Sequence, residues 1–287
     1  MTATALVTVL AAAVFHALWN TAAKSTQGDS TVFVWMYFTG GALLCAPLVV
    51  IQMLREDHAY GWELLLAPAV TAGFHIAYSL LLQTGYRRAD MGVVYPVARG
   101  TGPLLAVTVA VLALGERLEP LALLGGVAIV AGILVVTGRS LFRRASSLAT
   151  GLFYGVATGV AIAAYTLWDD FSVNALGITP IVYFGLASTA QSLLMLPWVL
   201  RRRDQLAPTW AMDKRQVIVV AVLSPLAYIL VLYALTTTSV ALVAPIRESS
   251  IVIGALLSWW LFRERDPLRR ILGAVIVAAG IALMVRG

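Results

Sequence analysis

Ten stretches of the chain are nearly free of charge and long enough to cross a hydrocarbon layer of about 30 Å as helices. They are read at 3–23, 31–54, 63–86, 91–114, 120–137, 148–168, 180–200, 215–235, 240–262 and 268–285. The polar positions between them carry helix-start chemistry. Asp29-Ser30, Asp90, Thr179-Pro180 and Asp266-Pro267 each set a side-chain oxygen at or near an N-cap, and the two prolines suit a first turn, where no amide donor is needed. The expected fold class is an all-α polytopic membrane protein of ten transmembrane helices.

The pattern repeats. Leu18-Trp19, Gly28 and Pro96 recur 149 residues on as Leu167-Trp168, Gly177 and Pro245. After a one-residue deletion, Glu116-Arg117, Gly125 and Gly132 recur 148 on as Glu264-Arg265, Gly273 and Gly280. The expected organisation is two five-helix repeats, 1–138 and 148–287, joined by a linker at 139–147 that carries Arg139, Arg143 and Arg144. Five is odd, so the second copy enters the membrane from the opposite face; inverted repeats of this kind build alternating-access carriers.

Composition narrows the picture further. Of the 287 residues, 60% are hydrophobic and 12% charged, with a mean hydropathy of +0.88, which leaves no room for a soluble domain. The net charge of +6 resides mainly in short loops, where it orients the protein against the bilayer and gives no sign of a nucleic-acid partner. Lys and Arg counted on alternate faces come to fifteen against three, with Arg55, Arg117 and Arg286 on the poorer face. Both termini are therefore expected outside the cytosol, in the inner (plasma) membrane. Acidic Glu56, Asp57, Glu63 and the Asp169-Asp170 pair fall on that outer face. Cys45 is the single cysteine, so an intrachain disulfide or thiolate metal site is impossible. The first stretch lacks a basic leader, and its Leu18-Trp19 has a partner in the second copy, which argues against a cleaved signal peptide. No HExxH, P-loop or GxSxG pattern accompanies the spans, so neither enzyme activity nor a cofactor is expected and transport would run on a gradient or exchange.

The candidate chemistry lies in charges that the spans bury. Arg99 and Arg247-Glu248 fall near mid-membrane, where an ionised group costs several kcal/mol unless it pairs or meets water. Pro96 and Pro245 precede them, and Gly100, Gly102 and Pro103 follow Arg99, so both helices are expected to bend or unwind there. In the 149-residue register Arg99 corresponds to Glu248. Two readings stand: a structural ion pair locking the halves, or a central site in which Arg247 attracts an anion and Glu248 accepts a cation, a proton or an amine. Charges at an interface, with the spans misplaced, would be the third.

His16 and Asn20 stand four residues apart in the first span, and Tyr165 and Asp169 take the same places in the second copy, a polar stripe expected to face inward. His16 has the titration range of a proton shuttle or is simply bonded to a neighbour. His75 with Tyr78, Gln83 and Gln191 are further polar candidates within spans, Gln191 as interhelical glue. Trp19 and Trp168 line a cavity or anchor at the interface. The seven-residue spacing of Gly125/Gly132 and Gly273/Gly280 suits close packing of the fifth span on the tenth. Glu116-Arg117 and Glu264-Arg265 are expected to cap or orient helices.

The five-plus-five arrangement, ALWN at 17–20, the proline-bearing fourth and ninth spans, and GERLEP and RERDPL after them resemble the EamA branch of the drug/metabolite transporter superfamily. The resemblance covers essentially the whole chain. It implies a ten-helix carrier whose cavity is lined mainly by the first, third and fourth helices of each half. That places His16, Asn20, His75, Tyr78, Arg99, Tyr165, Tyr228, Arg247 and Glu248 at or near the cavity. HALWN at 16–20 also resembles a subgroup associated with phosphonate use, which suits an anionic cargo. Many such relatives keep both termini in the cytosol, the reverse of what the loop charges here imply. The expected function is alternating-access transport of a small anionic or zwitterionic metabolite, such as an amino acid or phosphorus-bearing compound, by efflux or exchange. The partners are that solute, the bilayer and a coupling proton or ion, in a monomer or homodimer. The alternatives are a carrier of polar lipid headgroups or hydrophobic drugs, and a receptor or assembly subunit that moves nothing.

Overall fold

The computed structural model describes residues 1–23, 25–55, 61–89, 91–137, 148–262 and 267–286. Its helices are α1 (Ala3–Ala23), α2 (Ser30–Arg55), α3 (Glu63–Arg88), α4 (Met91–Leu112), α5 (Pro120–Thr137), α6 (Leu148–Asn174), α7 (Pro180–Leu200), α8 (Leu206–Leu235), α9 (Val240–Arg247), α10 (Ser249–Phe262) and α11 (Pro267–Arg286). Seven of them, α1 to α4 and α6 to α8, are long and apolar enough to cross a bilayer, and α5 and α11 supply shorter apolar stretches. The molecule is an all-α polytopic membrane protein.

Most span limits read from the sequence agree with these helices, and three differ. α6 runs past Trp168 to Asn174, because Asp169 finds buried partners and Asn174 reaches back to Asp170 at 2.9 Å and across to the Leu235 carbonyl at 3.0 Å. α8 begins at Leu206, ahead of the expected limit at 215, and so includes Lys214. α4 passes Pro96 and Pro103 without interruption. It is seated on a glycine stripe of α6, where a β-carbon at Gly151, Gly155 or Gly159 would lie 2.9, 2.6 or 2.6 Å from Val93, Val97 or Thr101. Close packing of this kind holds a proline-bearing helix in register. The expected interruption occurs only in the second copy. There the Glu248 amide bonds to the Pro245 carbonyl three residues back, and the Ile251 amide bonds to that of Glu248, a tightening that separates α9 from α10.

Within the bundle α1 packs on α8, α3 on α6, α2 on α7 and α5 on α11. The last contact runs through the glycines singled out above: a β-carbon on Gly125 would lie 2.5 Å from the Gly280 carbonyl, and one on Gly132 2.9 Å from that of Gly273. In a bilayer such backbone proximity replaces the hydrophobic effect as the cause of association.

The turn after α1 docks on the start of α8. Asp213, 1% exposed, accepts from the Gln27 and Gly28 amides at 3.0 and 2.8 Å, and Thr209 accepts from the Asp29 amide at 3.1 Å. A β-carbon on Gly28 would lie 2.8 Å from Thr209 and 2.9 Å from Asp213, whereas its register partner Gly177 stands in open space at φ +67. One glycine is there for closeness and the other for a left-handed turn. Asp29 then caps α2, accepting from the Thr31 and Val32 amides at 2.9 and 3.1 Å, and pairs with Arg202 at 2.6 Å. Burial pushes its carboxyl up, but the Val32 amide, the Arg202 guanidinium and the Thr31 amide outweigh that and hold it below the usual range. Asp29→Ala is expected to cost about 1 kcal/mol. Because the folded pKa is depressed, the contribution is complete above the unfolded aspartate pKa and disappears as pH falls through the folded value, so melting curves of variant and wild type should converge in acid.

At the opposite end Glu116 accepts from the Ser239 hydroxyl and, at 3.4 Å, from the Ala241 amide, which satisfies the positive N-terminus of α9. Glu116 is thus a cap, as expected, though for a helix of the other half. Thr179 occupies the N-cap of α7 without a side-chain cap bond, and Pro180 takes the first turn. Asp90, Asp266, Glu264, Arg265, the linker at 139–147 and the side chain of Gln83 lie outside the described residues.

Candidate functional site

Glu248, at the break between α9 and α10, is 1% exposed and meets two guanidinium groups. Arg99 of α4 reaches its Oε2 at 3.2 Å, and Arg247 reaches Oε1 through Nε and Nη2 at 3.3 and 3.2 Å. The first pair joins residues 149 apart, the two positions that the repeat register equates. Arg247 also donates to Thr166 at 3.4 Å and lies 5.7 Å from the centre of the Tyr165 ring; Arg99 stands 5.6 Å from that of Tyr95. Aromatic faces at such distances stabilise a cation removed from water.

Beside this cluster lies a cavity of about 100 Å³, lined by His16, Trp19, His75, Tyr78, Arg99, Tyr165 and Tyr228 among others. That space admits a few water molecules and falls below the roughly 300–1,000 Å³ usual for small-molecule sites, so a larger solute requires the walls to move. His16 packs edge-on against Trp19 with ring centres 4.9 Å apart. The Trp19 indole nitrogen is buried without a hydrogen-bond partner among the described residues. His75 stacks on Tyr165 at 4.2 Å, and Tyr78 meets Tyr165 edge-on at 6.2 Å. Gln191, read above as glue, also lines this cavity. Trp168 does not: its indole bonds to the Ala67 carbonyl at 2.9 Å and ties α6 to α3.

Behind Thr71 and Tyr228 lies Asp169, 2% exposed. Its carboxylate accepts from Thr71 and Tyr183, each at 2.7 Å, and from Tyr228 in a shorter contact. α6 continues past the expected span end and carries Asp169 into the bundle, facing inward as its place in the polar stripe implied. Counted among the described residues of this centre, two arginines face two carboxylates and the formal charges balance.

The cavity thus assembles His16, His75, Tyr78, Arg99, Tyr165 and Tyr228, with Arg247 and Glu248 directly behind Tyr165 and Arg99. Asn20 is the exception. It is exposed in the last turns of α1, where its amide is satisfied by the His16 carbonyl at 2.7 Å, so it does not join an inward stripe.

The multidrug transporter PA4990 of Pseudomonas aeruginosa is 43% identical over 77 residues, 27% of this chain. The chain spans 66% of that relative's length. A solved protein crystal structure superposes with a TM-score of 0.75 at 16% identity, covering 99% of this chain and 98% of the other, which speaks for the fold alone. The EamA-like transporter family matches over residues 3–138 and again over 149–286. With nearly every residue matched, a membrane-spanning helical fold and buried charge beside a cavity, the chain belongs to the EamA-like transporter family of the drug/metabolite superfamily.

Proposed function

We propose that the protein is a secondary transporter of a small anionic or zwitterionic metabolite, working by alternating access of two inverted five-helix halves in the plasma membrane, with both termini outside the cytosol. The observation that carries the solute class is the pair of buried guanidinium groups beside a cavity, one of which, Arg99, lines it. Two-fold alternation is supported by the double family match and by the packing pairs: shifting α2–α7 or α5–α11 by one repeat returns the same pair, and α1–α8 exchanges with α3–α6. The break at Glu248 supports a pivot, since interrupted helices at a mid-membrane site are where such carriers change shape.

Flux into proteoliposomes tests this, using labelled inorganic phosphate, methylphosphonate, glutamate and alanine. Wild-type protein should give saturable counterflow of at least one. Arg247→Ala should lower uptake at subsaturating solute about 10- to 100-fold, the worth of a charge-assisted hydrogen bond. Equal flux in the variant removes Arg247 from the mechanism; binding without flux favours a receptor.

One observation favours a second reading. An apolar groove of about 470 Å³ opens on the outer flank between α2 and α8, lined by Trp35, Leu43, Trp210 and Ile218 among others, and the partial relative from Pseudomonas is named a multidrug transporter. A hydrophobic drug entering sideways would be carried equally by wild type and Arg247→Ala.

A further inference from the structure

The hydrogen bonds around His75 leave one place without a proton. Its Nδ1 lies 2.8 Å from the Thr71 carbonyl, which only accepts, so Nδ1 carries the hydrogen and Nε2 presents a lone pair. Nε2 faces the Tyr228 hydroxyl oxygen at 3.3 Å. The single proton of that hydroxyl goes to Asp169, which also receives those of Thr71 and Tyr183. Three donors on one carboxylate fit its ionised form. Between Nε2 and the Tyr228 oxygen, lone pair therefore faces lone pair. A proton added to Nε2 completes the chain Nε2–H to Tyr228 oxygen and Tyr228 O–H to Asp169, and turns the unit into a bridged imidazolium–carboxylate pair.

Charge says when that proton is welcome. With His75 neutral, Arg99 and Arg247 balance Glu248 and Asp169. The added proton makes the centre +1, which is costly in a low-dielectric interior unless an anion enters beside it. His75 lines the cavity, and its stacked neighbour Tyr165 carries Arg247 on its ring. We propose that His75, Tyr228 and Asp169 form a proton-binding site that is loaded together with a monoanionic solute, so that the protein performs electroneutral proton–anion cotransport. This rests on the reading of the cavity as the solute site and narrows its cargo to monoanions. Reciprocity is required: the anion favours the proton as much as the proton favours the anion.

The groups facing the unit are distributed over the bundle. α3 supplies Thr71, and α6 supplies Tyr165, Asp169 and, bonded to Asn174, Asp170. α7 gives Tyr183, α8 Tyr228, and α1 His16 across the cavity. α4 contributes Arg99 and Tyr95, and the α9–α10 break Arg247 and Glu248.

Two measurements decide it. The chain has three histidines, so nitrogen NMR of ¹⁵N-histidine-labelled protein in nanodiscs, assigned by His75→Gln, follows Nε2 directly. The titration midpoint of His75 should fall in Asp169→Asn and rise in Arg247→Gln; a midpoint that ignores both, or no titration from pH 5 to 8, overturns the proposal whether or not a solute is found. In proteoliposomes, with each of the four solutes named above and pyranine inside, wild-type uptake should bring in one proton per monoanion. It should slow about tenfold per pH unit on the alkaline side of the His75 midpoint, as for one bound proton, and ignore a valinomycin-imposed potential. Whatever uptake remains in His75→Gln should be flat with pH. Wild-type uptake that carries no protons, or His75→Gln uptake with the wild-type pH profile, overturns the coupling, whereas failure of all four solutes overturns the solute reading alone.

Discussion

Glu248→Ala is expected to be the most damaging single substitution in the protein, lowering stability by about 3–5 kcal/mol. The reason is arithmetic of charge rather than lost volume. Glu248 neutralises Arg99 and Arg247 together, from a position 1% exposed. Its removal leaves two cations facing one another in a low-dielectric interior with no counter-charge between them. Adding Arg99→Met to Glu248→Ala should restore much of the loss, because the double variant buries one cation that retains Thr166 and the Tyr165 ring. Thermal unfolding of the detergent-solubilised protein, followed by tryptophan fluorescence, checks both statements. A double variant no more stable than Glu248→Ala would mean that electrostatics is not what holds the two halves at this point.

Second in size is the seam between α4 and α6. Gly155→Leu is expected to destabilise by about 1–3 kcal/mol and to abolish flux, because a β-carbon there already falls 2.6 Å from Val97 and 3.1 Å from the Val94 carbonyl. Backbone cannot swing aside as a side chain can. The displaced helix carries Arg99, so packing and transport should fail together. Gly73→Ala, where a β-carbon meets nothing within 4 Å, is the control and should leave the melting temperature unchanged or slightly raised. Equal effects from the two substitutions would show that the glycine stripe is not what seats α4.

The fold was largely legible because the apolar stretches are long and their interruptions polar; α1, α5 and α7 begin and end where the pattern places them. The Arg99–Glu248 pair was legible for a different reason, as two odd charges at equivalent positions of a repeat. Asp169 was read as facing inward, and it does, but the expected span stopped one residue short of it. A hydropathy reading ends a span at the first carboxylate, and cannot know that Thr71, Tyr183 and Tyr228, from three other helices, converge on it. Asp213 escaped for the same reason, its partners being backbone amides of a turn 185 and 186 residues away. Pro103 and Pro96 misled in the other direction. Proline chemistry predicts a break in α4, and only the α6 surface, with glycines at every fourth position, explains why the helix continues.

The stranded indole N–H of Trp19 has a consequence for selectivity. A visitor bearing an oxygen acceptor gives that donor a partner, while a bare hydrocarbon leaves it deprived at a penalty of about 1–3 kcal/mol, roughly a 5- to 150-fold sieve. If the cavity is the solute site proposed above, this donor favours polar guests over hydrocarbon ones, and the residue that supplies it carries no charge.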